Sequence, residues 1–427
     1  MASAPVNTTQ LNALDELYLH LDREEDPWSV QLEVQFAGPV DAARLGDAIR
    51  QAALRHPMAR ARLGAARATD VRYRWEIFDD LDDDHLEVGR DDDLSSLRSS
   101  VFSQTPTLDR PGPFTVTLAP QESGDSIMLN LHHAAGDGIS AVRLMTSIAR
   151  AYAGEEDPLP GVDPLAVRDV TAMTKADSLS TRAKRGRHFL RRGLGTPERI
   201  VQEGAGDRPG YGFELLELDL AGIRDRRRPG VTVNDLLLAA LAVTVREWNE
   251  ERGRGGGLLS LTMPVNLRPA EWRSDVVGNF ASYVAVRLAP EDQDGLEATA
   301  GAVADWTRRI KEEQIAGLMV QVVDLPTALP TGIKQRLPRL IPVTGDRLVD
   351  TAVLSNLGRL DKLPDLDGAG SARAVWFSPP GRMPLGVSVG VASLDDRLFM
   401  TLRYRHALLD RPAAREFVDR LRRTVEA

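Results

Sequence analysis

Hydrophobic and polar positions over the first 65 residues change period twice, which predicts helix, strand, helix. Leu11, Leu14, Leu17 and Tyr18 recur at helical spacing behind Asn7 or Thr8, either of which can cap the helix. Val30, Leu32, Val34 and Phe36 alternate with polar residues, the pattern of a strand with one buried face. Pro39 opens a second helix with Leu45, Ile49 and Leu54 along one side, and further strands are predicted at 73–78 and 114–118. The alternation at 127–131 predicts another strand, which runs straight into His132-His133-Ala134-Ala135-Gly136-Asp137-Gly138. Val142, Met145, Ile148, Ala149 and Tyr152 then restore the helical period, and Gly154 is its stop.

From 155 to about 210 the periodicity fades into Pro, Gly and charge, read as a crossover holding a short basic helix. The order resumes with a strand at 213–220 and a strongly apolar helix at 236–248, capped by Thr232 or Asn234. A strand at 258–263, a loop at 264–278, a strand at 280–288 and a helix at 296–315 follow. Strands at 351–354, 387–392 and 398–404 and a closing helix at 412–425 complete the chain. Both halves mix strands and helices, so the expectation is an α/β protein: an N-terminal lobe at 1–160, a crossover at 161–210 and a C-terminal lobe at 211–427. The acidic stretch 79–93 lacks the ligand spacing of a calcium loop and reads as solvated surface.

Composition narrows the class. At 427 residues, 42% hydrophobic and 27% charged, the chain can bury a full core without staples. It has no cysteine, which excludes disulfides, thiolate metal sites and a cysteine nucleophile. A net charge of −9 argues against nucleic acid as the partner. The N-terminus shows neither a basic nor an apolar signal region, and the longest apolar run, 236–245, is half a membrane span. A soluble, cytoplasmic monomer is expected.

The tandem His132-His133 at a strand end is the feature that packing alone does not explain. Adjacent side chains on a strand point to opposite faces, so one imidazole at most enters a given cavity. The same geometry makes the pair poor joint metal ligands, even with Asp137 nearby, and no metal is expected. A histidine that takes a proton from an alcohol or amine near neutral pH is one reading, and a satisfied core histidine is the other. Gly136 and Gly138 allow a tight turn, and Asp137 more naturally fixes that turn by pairing with a cation than orients an imidazole four residues back.

The segment 132–138 resembles the His-His-x-x-x-Asp-Gly motif of the thioester-dependent acyltransferase superfamily. That group holds chloramphenicol acetyltransferase, nonribosomal-peptide condensation domains, polyketide-associated acyltransferases and wax ester synthase/diacylglycerol acyltransferases. Other segments resemble the family in the same order: Leu14-Asp15-Glu16-Leu17, His56-Pro57-Met58-Ala59-Arg60-Ala61-Arg62-Leu63, Val233-Asn234-Asp235, Pro264-Val265-Asn266-Leu267-Arg268-Pro269, Gly278-Asn279 and Ser355-Asn356-Leu357-Gly358. The second-lobe segments are most similar to the wax ester synthase branch. No Asp-Phe-Gly-Trp-Gly segment is found; near its place, Phe377 is followed by Ser-Pro-Pro-Gly-Arg-Met-Pro-Leu-Gly.

The resemblance implies two chloramphenicol-acetyltransferase-like lobes, mixed sheets flanked by helices, with an active-site tunnel between them. It implies His133 as general base for direct attack of a hydroxyl or amine on a thioester, with Asp137 and Gly138 structural and Arg268 the partner of Asp137. His132, Asn279, Ser355 and Asn356 are candidates for substrate or oxyanion contact. No tightly bound cofactor is implied; the co-substrate is an acyl-coenzyme A or a phosphopantetheinyl carrier thioester, and the acceptor a small alcohol or amine. Specialised metabolism is the expected setting. Neutral-lipid synthesis and a non-catalytic carrier-protein docking module are the alternatives. Among smaller signals, Arg182, Lys184, Arg185, Arg187, Arg191 and Arg192 form a run read as a solvated helix or a phosphate- or carrier-binding patch. His406 with Asp410 reads as a surface turn.

Overall fold

Strand alternation, helix caps and the pairing of distant segments build two layered halves in the computed structural model. It describes residues 4–81, 85–89, 93–175, 178, 181, 183–187, 195–204, 206, 209–336, 349–381 and 385–427. The first half runs β1 (Asn7–Gln10), α1 (Ala13–Leu21), β2 (Ser29–Phe36), α2 (Ala42–Arg55), β3 (Ala61–Leu63), β4 (Arg74–Ile77), β5 (Leu86–Val88), α3 (Leu94–Phe102), β6 (Phe114–Ala119), β7 (Ser126–His132) and α4 (Gly138–Ala153). The second runs β8 (Tyr211–Asp219), α5 (Leu220–Arg226), α6 (Val233–Glu251), β9 (Leu259–Asn266), β10 (Ala281–Leu288), α7 (Gly295–Glu312) and α8 (Ala316–Asp324). It continues through β11 (Ala352–Arg359), β12 (Ala372–Ser378), β13 (Val387–Leu394), β14 (Arg397–Arg405) and α9 (Arg411–Glu426).

The first half's sheet has the order β12-β2-β7-β6-β5, and its apolar face buries Val30, Leu32, Val34, Phe36, Leu129 and Val116 under α2 and α4. The second half's sheet, β10-β9-β11-β13-β14-β8, buries Val387, Val389, Leu402 and their neighbours under α6, α7 and α9. The fold is thus α/β with two lobes of mixed sheet and helix. One strand is exchanged: β12 comes from the second half yet pairs antiparallel with β2, Phe377 opposite Leu32. A third core lies where the halves meet, joining Leu14, Tyr18 and Trp75 to Trp272, Val277 and Phe280.

Several local expectations change. The α1 cap is Asn12, whose side chain accepts from Leu14 N and Asp15 N, because Asn7–Gln10 is drawn into an edge strand against β4. The stretch 79–93 is partly strand: Leu86–Val88 pairs in parallel with β6, and His85 is buried. The strand expected at 258–263 runs on to Asn266, and the helix expected to reach 315 ends at Glu312, with Gln314 turning left-handed (φ 51°) before α8 starts. Of the basic run, Arg182, Arg191 and Arg192 lie outside the described residues. Arg185 is buried, donating to the Thr174 and Gln314 carbonyls, so it belongs to the packing and not to a solvated face. Asp410 caps α9 through Ala413 N.

Candidate active site

β7 delivers the chain to the lobe junction and ends at His132; the turn after it leads into α4. His132 braces that turn. Its Nδ1 accepts from Ala134 N at 3.1 Å, which leaves the proton on Nε2, facing Asp22 at 3.7 Å. Burial alone would raise the Asp22 pKa, but His132, Trp28 N and the Thr105 hydroxyl hold it below the ordinary range.

His133 is fastened from both lobes: its N–H donates to the Trp28 carbonyl at 2.9 Å, and its carbonyl accepts from Asn279 Nδ2 at 3.1 Å. The imidazole lies flat on Tyr18, ring centroids 3.9 Å apart at 24°, and Trp28 packs beside both rings, 5.4 Å from Tyr18 and 6.2 Å from His133. The Tyr18 hydroxyl reaches across to the Ala281 carbonyl in β10 at 3.1 Å, so the stack is anchored in the second lobe. His133 is only 7% exposed, so the ring expected to face a tunnel is instead enclosed by packed side chains. Burial pulls its pKa down to about 4; its own main chain, Asp137 and the Gly136 main chain pull the other way and lose. The Nδ1 atom has no well-formed hydrogen bond. At neutral pH the ring is therefore an uncharged base.

Asp137 carries four jobs at once. It caps α4 by accepting from Ser140 N at 3.0 Å, accepts Phe280 N at 2.9 Å, and takes both Arg268 amino groups at 2.7 and 3.0 Å. Arg268 Nη2 also donates to the Gly278 carbonyl at 2.9 Å, and the guanidinium lies over the Phe280 ring. The ion pair is wholly enclosed, with side chains 0% and 2% exposed. Burial would raise the Asp137 pKa, but Arg268 and the two main-chain donors outweigh it and hold the carboxyl ionised. Gly138 is needed for contact across the lobes: a Cβ there would stand 2.6 Å from Leu357 Cδ2 and 3.1 Å from the Phe377 ring. Asn279 joins this cluster, whereas Asn356 spends its side-chain oxygen on Gly358 N at 2.8 Å. Ser355 sits buried on β11 opposite Gly390, and among the described residues no hydrogen bond links Ser355 or Asn356 to His133.

The sequence reading passed over Tyr18 and Trp28, since an aromatic at helical spacing signals core and nothing more. Their roles are testable. Tyr18→Leu is expected to admit water and move the His133 titration up from about 4 toward the ordinary value near 6.5, followed by histidine NMR. Tyr18→Phe keeps the stack and should leave it unchanged; an unmoved titration in Tyr18→Leu would refute the shielding argument.

A second polar knot mimics a catalytic triad. His56 Nε2 lies 2.7 Å from Ser147 Oγ, which donates to Asp157 Oδ2 at 2.6 Å and accepts from Arg143 at 2.7 Å. Burial lowers the His56 pKa to about 3, so it is neutral and donates to Ser147. The serine proton already points at a carboxylate and all four groups are buried, which describes a clamp between α4 and the 155–158 loop. Ser147→Ala should cost about 1–3 kcal/mol in urea unfolding by stranding buried donors, with the site at His133 unaffected.

Among the described residues no helix is long and apolar enough to cross a membrane, and no three His, Cys, Asp or Glu gather as metal ligands. No family profile matches the sequence. The chain is 36% identical over 393 residues to the uncharacterised protein Rv2305 of Mycobacterium tuberculosis H37Rv, covering 90% of this chain and 91% of that one. It belongs to the family of Rv2305. The counterpart in strain CDC 1551, MT2362, matches identically. Three solved structures show the architecture that the Rv2305 family member adopts here. The first condensation domain of the calcium-dependent antibiotic synthetase superposes with TM-score 0.72 at 15% identity, over 99% of this chain and 96% of that one. The TRI3 trichothecene 15-O-acetyltransferase of Fusarium sporotrichioides gives 0.69 at 11%, over 98% and 95%. The starter condensation domain of rhizomide synthetase, solved with C8-CoA and Leu-SNAC, gives 0.68 at 14%, over 98% and 94%. The fold is that of these condensation and acetyltransferase domains.

Proposed function

We propose that the chain is a soluble, cytoplasmic acyltransferase that moves an acyl group from a coenzyme A or carrier-protein thioester to a hydroxyl or amine. His133 takes the acceptor's proton as the acceptor oxygen or nitrogen attacks the thioester carbonyl. The C–S bond then breaks, and the imidazolium returns the proton to the departing thiolate. No acyl-enzyme forms. Asp137 lies within electrostatic reach of His133 and favours the imidazolium as it appears. The observation that carries this reading is a neutral imidazole seated at the lobe junction on a turn locked by Asp137 and Arg268. The coenzyme A compound in the rhizomide domain supports a thioester donor.

The narrow exposure of His133 favours the second reading, a docking module that binds a carrier protein without chemistry. Mass spectrometry of the purified protein with a panel of acyl-coenzyme A and acyl-carrier thioesters, plus alcohols and amines, decides between them. The expected result is a donor consumed only with an acceptor, the enzyme mass unchanged throughout. An acylated enzyme would overturn direct attack, and no consumption with any pair would leave the docking module. Turnover confined to long-chain acyl-coenzyme A with long-chain alcohols would mean neutral-lipid synthesis.

A further inference from the structure

We infer that Arg405, from the second lobe, is a positioning residue for His133: it holds the 22–28 loop, and with it Trp28, against the imidazole. The inference rests on the acyl-transfer reading of His133 and adds to it a group remote from the ring in sequence. The loop runs from the end of α1 into β2 and is closed on itself, because Trp28 N donates to Asp22 Oδ1 at 2.8 Å. Both of its ends reach the active-site turn. Asp22 Oδ2 faces His132 Nε2 at 3.7 Å, and the Trp28 carbonyl accepts from His133 N at 2.9 Å. The Trp28 ring packs 6.2 Å from the imidazole. Where Trp28 stands therefore decides how His133 is enclosed and where its main chain lies.

The tip of the loop is gripped by the other lobe. Arg405 Nη1 donates to Asp26 Oδ1 at 2.9 Å, and Nη2 to the Glu25 carbonyl at 3.0 Å. A planar guanidinium that holds a carboxylate and the neighbouring carbonyl through different nitrogens fixes direction as well as distance. Tyr211, opposite Arg405 where β8 pairs with β14, donates its hydroxyl to the same Asp26 oxygen at 3.1 Å. Arg403, on the same face of β14, donates to the Pro27 carbonyl at 3.3 Å and lies over the Tyr211 ring. One corner of the second sheet thus holds Glu25, Asp26 and Pro27 in succession, immediately before Trp28.

Two ties between the lobes therefore reach His133, and they differ in character. Asp137 and Arg268 are wholly enclosed. The Arg405 and Asp26 side chains are 20% and 15% exposed, so water competes for that pair, and it is the tie that can loosen while the junction stays folded. Arg23, Glu24 and Glu25 at the tip are exposed, which leaves the grip of Arg405 as a main restraint on where the loop lies.

The test compares Arg405→Gln, Arg405→Lys and Ser147→Ala in the full chain. One readout needs no turnover: the folded protein is treated with diethyl pyrocarbonate at neutral pH, and carbethoxylation of His133 is followed by tandem mass spectrometry. His133 should react about tenfold faster in Arg405→Gln than in the wild type, because local opening of the loop uncovers it. Ser147→Ala, which loosens a clamp elsewhere, should react as the wild type does. Arg405→Lys keeps a cation at Asp26 but not the planar fork, and should recover part of the protection. The other readout is turnover with the donor and acceptor found by the mass-spectrometric panel. Arg405→Gln should lower kcat about tenfold or more and leave the thioester KM within about twofold, since a displaced base costs the transition state and not binding. Arg405→Lys should restore part of kcat. Carbethoxylation unchanged in Arg405→Gln, or raised equally in Ser147→Ala, would overturn the inference, as would a raised KM with kcat intact. If no donor and acceptor pair turns over, the acyl-transfer reading falls, and the carbethoxylation rates alone decide whether Arg405 positions His133.

Discussion

Asp137→Ala is expected to cost about 3–5 kcal/mol and remove much of the folded protein, whereas His133→Ala should leave a folded chain whose acyl transfer is slower by about 10²–10⁴. The contrast follows from what each side chain holds. Deleting the Asp137 carboxylate strands a fully enclosed Arg268 guanidinium, the Phe280 N–H and the cap of α4 in one step. The loss is therefore that of an uncompensated buried charge plus a helix cap worth about 1 kcal/mol. Arg268→Ala should be nearly as damaging. Because the two residues share one network, the double variant should cost much less than the sum of the singles. Arg268→Lys should fail to rescue, since an ammonium cannot serve two carboxylate oxygens and the Gly278 carbonyl in one plane. His133 by contrast is held through its main chain, and its ring gives up mainly a stack on Tyr18 when removed. Urea unfolding and donor consumption per folded molecule measure the two halves. Equal loss of folded protein in both variants would sink the division of roles.

Elements whose character is decided locally were legible in the sequence. β2, β7, α4 and the apolar helix α6 announce themselves by period, and Thr232 caps α6 with Asp235 returning the bond. What failed was decided by partners far along the chain. β12 pairs with β2 across the whole protein, and its residues, Ala-Arg-Ala-Val-Trp-Phe-Ser, do not alternate. The α1 cap slipped from Asn7 or Thr8 to Asn12 because several cap-competent residues stand in a row and the strand partner β4 selects among them. β5 was hidden because Leu86 and Val88 sit among acids, and only β6 beside them makes a strand of them. The site divides the same way. The turn at 132–138 is one local segment and was readable as such. Tyr18 and Trp28 come from the chain's first elements and meet His133 only through packing, which no spacing rule reports.

Acid should unfold this protein steeply between about pH 5.5 and 4.5. The cause is histidines kept neutral by burial: His56 has its pKa pulled down to about 3, and His133 and His20 to about 4. Above about pH 6.5 these rings are neutral folded or unfolded and contribute no pH dependence. As the pH falls below that value the unfolded chain takes up protons that the folded chain refuses, so stability drops. The loss continues until the folded rings titrate too, near 4 for His133 and 3 for His56. With both rings nearly enclosed, the slope approaches about 2.7 kcal/mol per pH unit near pH 5; His20, partly exposed, adds less. Glu16, held above its ordinary range by burial, works in the opposite sense and offsets part of the fall. A loss of several kcal/mol over this window is comparable with the whole stability of a typical domain, about 5–15 kcal/mol. Urea midpoints followed by circular dichroism from pH 7 to 4.5 measure it. His56→Gln, which can still donate to Ser147, should flatten the curve by roughly half, since it removes one of the two main proton sinks from the unfolded state. A midpoint that stays level to pH 4.5 in the wild type would show that these rings carry their protons when folded. It would also remove the case for His133 as a neutral base far below pH 7.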